Sequence, residues 1–188
     1  MVKFINFIRK IILRILGMKY PINIQLEELK KKGLIVGENF SMQEDVLIDG
    51  SHCFLINIGD NVTLAPRVHI LAHDASTKMH IGYSKIGRVI IGNNVFIGAN
   101  TTILPNVKIG DNVIVGANSL ITKDIPSGVV CVGNPMKIIS SIDKYILKNN
   151  QNIKKRPVYS NEYSINKITY EMKEEMLTGL KDGIGYLE

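Results

Sequence analysis

Residues 89–126 read VIIGNNVFIGANTTILPNVKIGDNVIVGANSLITKDIP, and this stretch repeats every six residues. Counting in sixes from Ile91 gives Ile97, Ile103, Ile109, Val115 and Ile121, all aliphatic. The same count from Ile58 gives Leu64 and Ile70. Small residues follow directly at Gly59, Ala65, Gly92, Gly98, Gly110 and Gly116, and the third residue on is Asn at 61, 94, 100, 106, 112 and 118. One position further come Val62, Val68, Val95, Thr101, Val107, Val113, Ser119 and Ile125. A period of six holds no face of an α-helix at 3.6 residues per turn, and turns this frequent are too close for the strands of a sandwich. A short strand with two inward residues and then a corner, three times per coil, does satisfy it. The pattern predicts a triangular coil of about 18 residues whose aliphatics stack into a dry column. Asn and Gly suit the corners, where the backbone needs positive φ or close approach.

Fainter hexads at Val36, Met42, Ile48 and Phe54 extend the solenoid back to about residue 34, so residues 34–139 supply about five coils of a parallel β-helix. An open solenoid leaves unpaired backbone at each end. A basic arm, residues 1–33, and an extension, residues 140–188, with helices expected around 141–150 and 166–180, are placed to cover those ends or clasp a neighbour. Lys154, Lys155 and Arg156 before Pro157 read as a solvated linker.

The 188 residues carry 23 Lys and Arg against 17 Asp and Glu, and the excess is local. Residues 1–32 hold eight basic and two acidic side chains, whereas residues 33–139 hold seven and eight. That distribution excludes a nucleic-acid-binding body and marks a basic arm. Within residues 3–17, Lys3, Asn6, Lys10 and Arg14 share one side of a helical projection and Phe and Ile cover the rest. The arm is expected to pack on its own subunit or a neighbour, or to lie on an anionic membrane surface. Arg9, Lys10 and Arg14 interrupt any signal-peptide or membrane-spanning reading, so a cytoplasmic protein, peripheral at the inner membrane face if the arm binds lipid, is expected. With two cysteines and no C-x-x-C pair, neither a disulfide framework nor a thiolate metal site is expected; Cys53 and Cys131 read as small apolar residues.

The repeat breaks once at length. After Ile70 the register resumes at Ile91, 15 residues late, so an inserted loop spans 74–90 without changing the phase. Insertions in repeat proteins collect on the binding face. His73 stands at the rim of this loop, in the corner position that Asn fills elsewhere, and is the candidate general base. His69 falls at an outward position, and His52 and His80 lie in irregular segments, all three read as non-functional. The H-x3-H pair at 69 and 73 does not converge, so metal is not expected.

The segments IGDNVTLAPRVHILAHD, the quoted stretch and VGNPMKII together resemble the hexapeptide-repeat acyltransferases, in particular the maltose, galactoside and polysaccharide O-acetyltransferases. The resemblance covers about 58–139 and implies a left-handed coil, a homotrimer and acetyl-CoA bound between subunits. It implies His73 as catalytic base, two residues earlier in its hexad than in the maltose and galactoside enzymes. Gly98, Ala99, Gly116 and Ala117 match positions lining the pantetheine arm, and Thr122, Lys123 and Lys137 match polar positions along the CoA path. A second basic position of the family falls on Ser140. Asp49 matches an acceptor-contacting acid, and Asp74 is the candidate to orient the acceptor or His73. The expected activity is transfer of acetyl from acetyl-CoA to a sugar hydroxyl of a surface-polysaccharide precursor, without a covalent enzyme intermediate. Acetylation of an antibiotic or another small molecule is the alternative, and a non-catalytic scaffold is the alternative of another class.

Overall fold

The computed structural model describes residues 21–188. The amphipathic stretch 3–17 lies outside them. Among the described residues no helix is long and apolar enough to cross a membrane. The chain divides into two compact units between Ile142 and Asp143.

Among the described residues the first unit opens with α1 (Ile22–Lys31), whose Leu29 is buried against the core with Ile22 and Leu26 beside it. Strands then run β1 (Ile35–Val36), β2 (Ser41–Met42), β3 (Leu47–Ile48), β4 (Ile56–Ile58), β5 (Thr63–Leu64) and β6 (His69–Ile70). After an excursion come β9 (Val89–Ile91), β10 (Val95–Ile97), β11 (Thr102–Ile103), β12 (Val107–Ile109), β13 (Val113–Val115), β14 (Leu120–Ile121) and β15 (Val129–Val132). Successive strands fall in turn on three sheets: A is β1-β4-β9-β12, C is β3-β6-β11-β14, and B runs from β2 through β5, β10 and β13 to β15. All these pairings are parallel. A single Ile109–Ile125 bridge continues sheet A. Strand β16 (Lys137–Ser141) folds back antiparallel on β15 and ends sheet B.

Two residue types divide the labour at the corners. Asn61, Asn94, Asn100, Asn106, Asn112 and Asn118 adopt φ between 54° and 64°, and Asn39, Asp45 and Arg67 lie between 53° and 60°. The corner between sheets A and B carries an amide ladder, with Asn39 Nδ2 donating to Asn61 Oδ1 (2.9 Å), Asn61 to Asn94 (3.0 Å) and Asn94 to Asn112 (3.2 Å). The hexad glycines serve close approach instead. A Cβ on Gly98 would stand 2.4 Å from the Ala117 nitrogen on the next coil, and positive φ is not involved.

Coil length varies at one place only. Eighteen residues separate Ile91 from its partner Ile109, 22 separate Val36 from Ile58, and 33 separate Ile58 from Ile91. The two long coils carry four and fifteen extra residues, both inserted between sheet C and sheet A. Phe54 is therefore no column residue: it sits in a 3-10 turn (Cys53–Leu55) and is exposed, and Ile58 takes the place expected for it.

The column itself is dry. Leu64, Ile70, Ile97, Ile103, Ile109 and Ile121 have no solvent exposure. Ile103→Ala should destabilise the coil by about 2–5 kcal/mol, because neighbours above and below cannot collapse into the space. A shift in the urea midpoint without a change in slope would measure it.

The second unit begins along α3 (Ile142–Ile153) and contains β17 (Val158–Tyr159), a 3-10 turn at Asn161–Tyr163, α4 (Tyr170–Gly179) and β18 (Tyr186–Leu187). Its helices stand near the expected places, but β17 and β18 also pair in parallel, so the extension is not helical alone. Arg156 is not a free linker residue: its Nη1 donates to the Asp182 carbonyl at 3.0 Å.

Candidate functional site

Both insertions leave the solenoid at the corner between sheets C and A, on consecutive coils, and the candidate site is where they meet. Asp49 directly follows β3. Its Oδ1 accepts from the amides of Ser51 (3.0 Å) and His52 (3.1 Å), which closes the short turn of the smaller insertion. Its Oδ2 reaches the next coil, accepting from the Ala72 amide at 3.0 Å and from His73 Nδ1. His73 opens β7 (His73–Asp74), which pairs antiparallel with β8 (Lys85–Ile86) around the short helix α2 (Lys78–Ile81). The excursion is thus an ordered hairpin, closed at its base by Gly87 N to the Ala72 carbonyl. His73 is extended rather than left-handed, so it does not replace a corner Asn; it leads the chain out of the coil.

Asp49 is 3% exposed and has four donors. Burial raises its pKa, but the bonds from His73 and from the amides of Ala72, His52 and Ser51 outweigh that, leaving it below the ordinary carboxylate range. An ionised carboxylate only accepts, so His73 donates from Nδ1, the tautomer whose neutral ring carries its lone pair on Nε2. The His73 side chain is 38% exposed, which leaves room for a substrate hydroxyl. Asp49 lies buried behind the histidine, held there by these four bonds.

His52 belongs to the same cluster. Its ring centroid lies 4.9 Å from that of His73, with the planes tilted by 41°. Its Nδ1 stands 3.9 Å from Asp49 Oδ1, beyond hydrogen-bond length, and is buried without a hydrogen-bond partner among the described residues.

Asp74 turns away from His73. Its Oδ2 pairs with Lys85 Nζ at 2.5 Å across the hairpin and its Oδ1 accepts from Ser76 N at 2.8 Å. The Lys85 bond, followed by the bonds from Ser76, brings its pKa down to about 2. Because the folded value is depressed, its support of the hairpin is complete above the ordinary 3.8 and disappears as pH falls through about 2. In an NMR titration the Asp74 carboxyl should show a midpoint near 2. Lys85→Met should move that midpoint up toward the ordinary range; a wild-type midpoint already there would remove the pair.

The positions matched to the CoA path lie elsewhere on the coil. Gly98 with Ala99, and Gly116 with Ala117, occupy successive coils at the corner between sheets B and C. Thr122 and Lys123 are exposed at the C–A corner, two strands beyond His73 in sheet C, or roughly 10 Å along the axis at the usual strand spacing. Lys137 is exposed on β16, and Ser140 Oγ donates to the Ser141 carbonyl. His69 is exposed on sheet C beside a depression it lines with Asp45, Arg67, Asn100 and Thr102. His80 is exposed in α2. Cys53 is buried, and burial pushes the Cys131 thiol up to about 11, so neither is poised as a nucleophile.

One chain therefore unites Asp49, His52 and His73, but sets the glycines and alanines on the B–C corner, Thr122 and Lys123 on the C–A corner, Lys137 on sheet B and Asp74 on the hairpin. The place of His52 in this cluster is not what the sequence predicts for it. The available signal was the interrupted spacing at GSHCF, one coil before the larger break.

Comparison with known proteins bears on this geometry. The family described as bacterial transferase hexapeptide (six repeats) matches residues 88–123. Protein CapG of Staphylococcus aureus is 44% identical over 131 residues, covering 67% of this chain and 76% of that protein. The crystal structure of a maltose O-acetyltransferase from Clostridium difficile superposes with a TM-score of 0.50 and 46% identity, covering 57% of this chain and 58% of the other. A hexapeptide-repeat acetyltransferase of Vibrio cholerae, crystallised with acetyl-CoA, gives a TM-score of 0.53 and 27% identity, covering 59% and 61%.

Proposed function

The chain belongs to the hexapeptide-repeat acetyltransferases, and from that premise we propose that it transfers acetyl from acetyl-CoA to a hydroxyl of a sugar or surface-polysaccharide precursor, with His73 as base. The observation that carries this reading is the Asp49–His73 pair at the mouth of the hairpin, with Nε2 of His73 left as the acceptor of a proton. The thioester is already activated, whereas a sugar hydroxyl is a weak nucleophile at neutral pH. His73 Nε2 takes the hydroxyl proton as oxygen attacks the acetyl carbonyl. The C–O bond forms, the C–S bond breaks, and the imidazolium returns the proton to the departing CoA thiolate. Asp49 stabilises the imidazolium throughout. No covalent acetyl-enzyme is needed.

The coil is left-handed in this reading, as in the family it belongs to, and the working enzyme is a homotrimer. Two edges of sheet C carry the base and the positions matched to pantetheine, so a neighbouring subunit facing sheet C would enclose acetyl-CoA between them. Lys123 and Lys137 suit the nucleotide phosphates. Donor and precursor are cytoplasmic metabolites, which would place the enzyme there.

Calorimetric titration of the full chain with acetyl-CoA tests the donor half without a guess about the acceptor. Binding near one site per subunit is expected, followed by release of free thiol when sugars bearing the correct hydroxyl are added. A folded oligomer that fails to bind acetyl-CoA would overturn the proposal.

A further inference from the structure

We infer that Asp49, His52 and His73 form a binding site for a borderline transition-metal dication, Zn²⁺ above all, and that its occupancy silences His73; the second half rests on the function proposed above. One ligand atom from each residue, a carboxylate oxygen and two imidazole nitrogens, lies within 4.8 Å of the other two. Four-coordinate zinc with bonds of about 2.0–2.2 Å spaces its ligands roughly 3.3 Å apart. His52 Nδ1 already stands 3.9 Å from Oδ1 of the carboxylate whose other oxygen, Oδ2, faces His73.

His52 Nδ1 supplies an independent observation. Buried polar atoms in folded proteins nearly always have a partner, and this one has no hydrogen bond among the described residues. A metal between the two rings would provide its missing partner. The anionic Asp49 offsets the charge, and the amides of Ser51, His52 and Ala72 fix that carboxylate as an outer shell fixes a metal ligand. Both histidine side chains are about one-third exposed, so the ion has a path in and water has a fourth position. Two imidazoles favour zinc over magnesium or calcium, which prefer all-oxygen shells.

Occupancy has a direct chemical consequence. Zinc at Nδ1 of His73 takes the place of the proton now shared with Asp49. A neutral imidazole bound through Nδ1 carries its proton on Nε2, so that proton moves across the ring and the lone pair that accepts from the acceptor hydroxyl is gone. The metal therefore acts here as an inhibitor.

The test uses full-length protein and Zn²⁺ alone, in competition with a chromophoric chelator. One zinc per subunit is expected, with Mg²⁺ unable to displace it. His52→Ala should weaken binding by more than the roughly 10–100-fold that loss of an outer-shell partner costs. His52→Phe, which keeps a ring beside His73, should do the same and guards against a folding defect in the alanine variant. Nitrogen-15 histidine NMR should show both rings coordinated through Nδ1. Zinc should suppress thiol release by the wild type, with half-inhibition at the concentration that half-fills the site. Absence of binding, unchanged binding in both His52 variants, coordination through Nε2, or full turnover of the zinc-loaded enzyme would each overturn the inference. The binding and NMR arms require neither acetyl-CoA nor an acceptor, so they remain decisive if the proposed activity fails.

Discussion

His73→Ala is expected to lower turnover about 10²–10⁴-fold, the range that a positioned general base contributes, while acetyl-CoA affinity stays nearly unchanged. The separation follows from the geometry. His73 stands at the root of the hairpin, on the C–A corner, whereas Gly98, Ala99, Gly116 and Ala117 belong to the B–C corner. Removing the imidazole deletes the proton acceptor and leaves the coil, its corners and both lysines in place. The loss should therefore appear in kcat, with KM for acetyl-CoA retained. Added imidazole should restore part of the rate, since the cavity left by the ring opens to solvent. Equal losses in binding and turnover would instead assign His73 to holding the donor.

Asp49→Asn should produce a loss of similar size by a different route. Each carboxylate oxygen accepts two bonds, and an amide offers one oxygen and one NH₂ group. If the NH₂ group faces His73, it donates to Nδ1 and drives the ring proton to Nε2, which removes the base. If it faces Ser51 and His52 instead, two amide donors lose their acceptor. The first arrangement also leaves the buried Ala72 amide unpaired, at about 1–3 kcal/mol. A fall in kcat of up to about 10⁴-fold is expected from the first, the loss that a wrong imidazole tautomer brings in a triad hydrolase. Thermal melting separates the two, because destabilisation without a fall in kcat would mean that Asp49 only closes its turn.

The coil was legible because its determinants are local and repeated. Ile91 through Ile121 declare inward positions every six residues, and the Asn residues that follow them do adopt positive φ. The longer excursion was equally visible, since fifteen residues interrupt a register that then returns. Phe54 misled because four extra residues between Ile48 and Ile58 shift the hexad, and an apolar residue at the unshifted place imitated it. Asp45 and Arg67 take left-handed corners with side chains that do not advertise them. The site was legible only in part. His73 was marked by its place beside the break, but its partner Asp49 lies 24 residues away, and which carboxylate reaches it depends on how two insertions of different length fold over one corner. Asp74, adjacent in sequence, was the natural candidate on proximity, yet strand alternation directs it to Lys85.

The placement of both excursions at a single corner also bears on how such a molecule changes over generations. Hydrogen bonds between coils and the aliphatic column are indifferent to how many residues leave at that corner, provided the chain re-enters in phase, as Val89–Ile91 does against β4. The hairpin can then be exchanged as a cassette, its ends grafted at Ala72 and Val89, without redesign of the scaffold beneath it. Such swaps would change what stands beside His73 while leaving the coils beneath untouched, so one stem could carry many different rims.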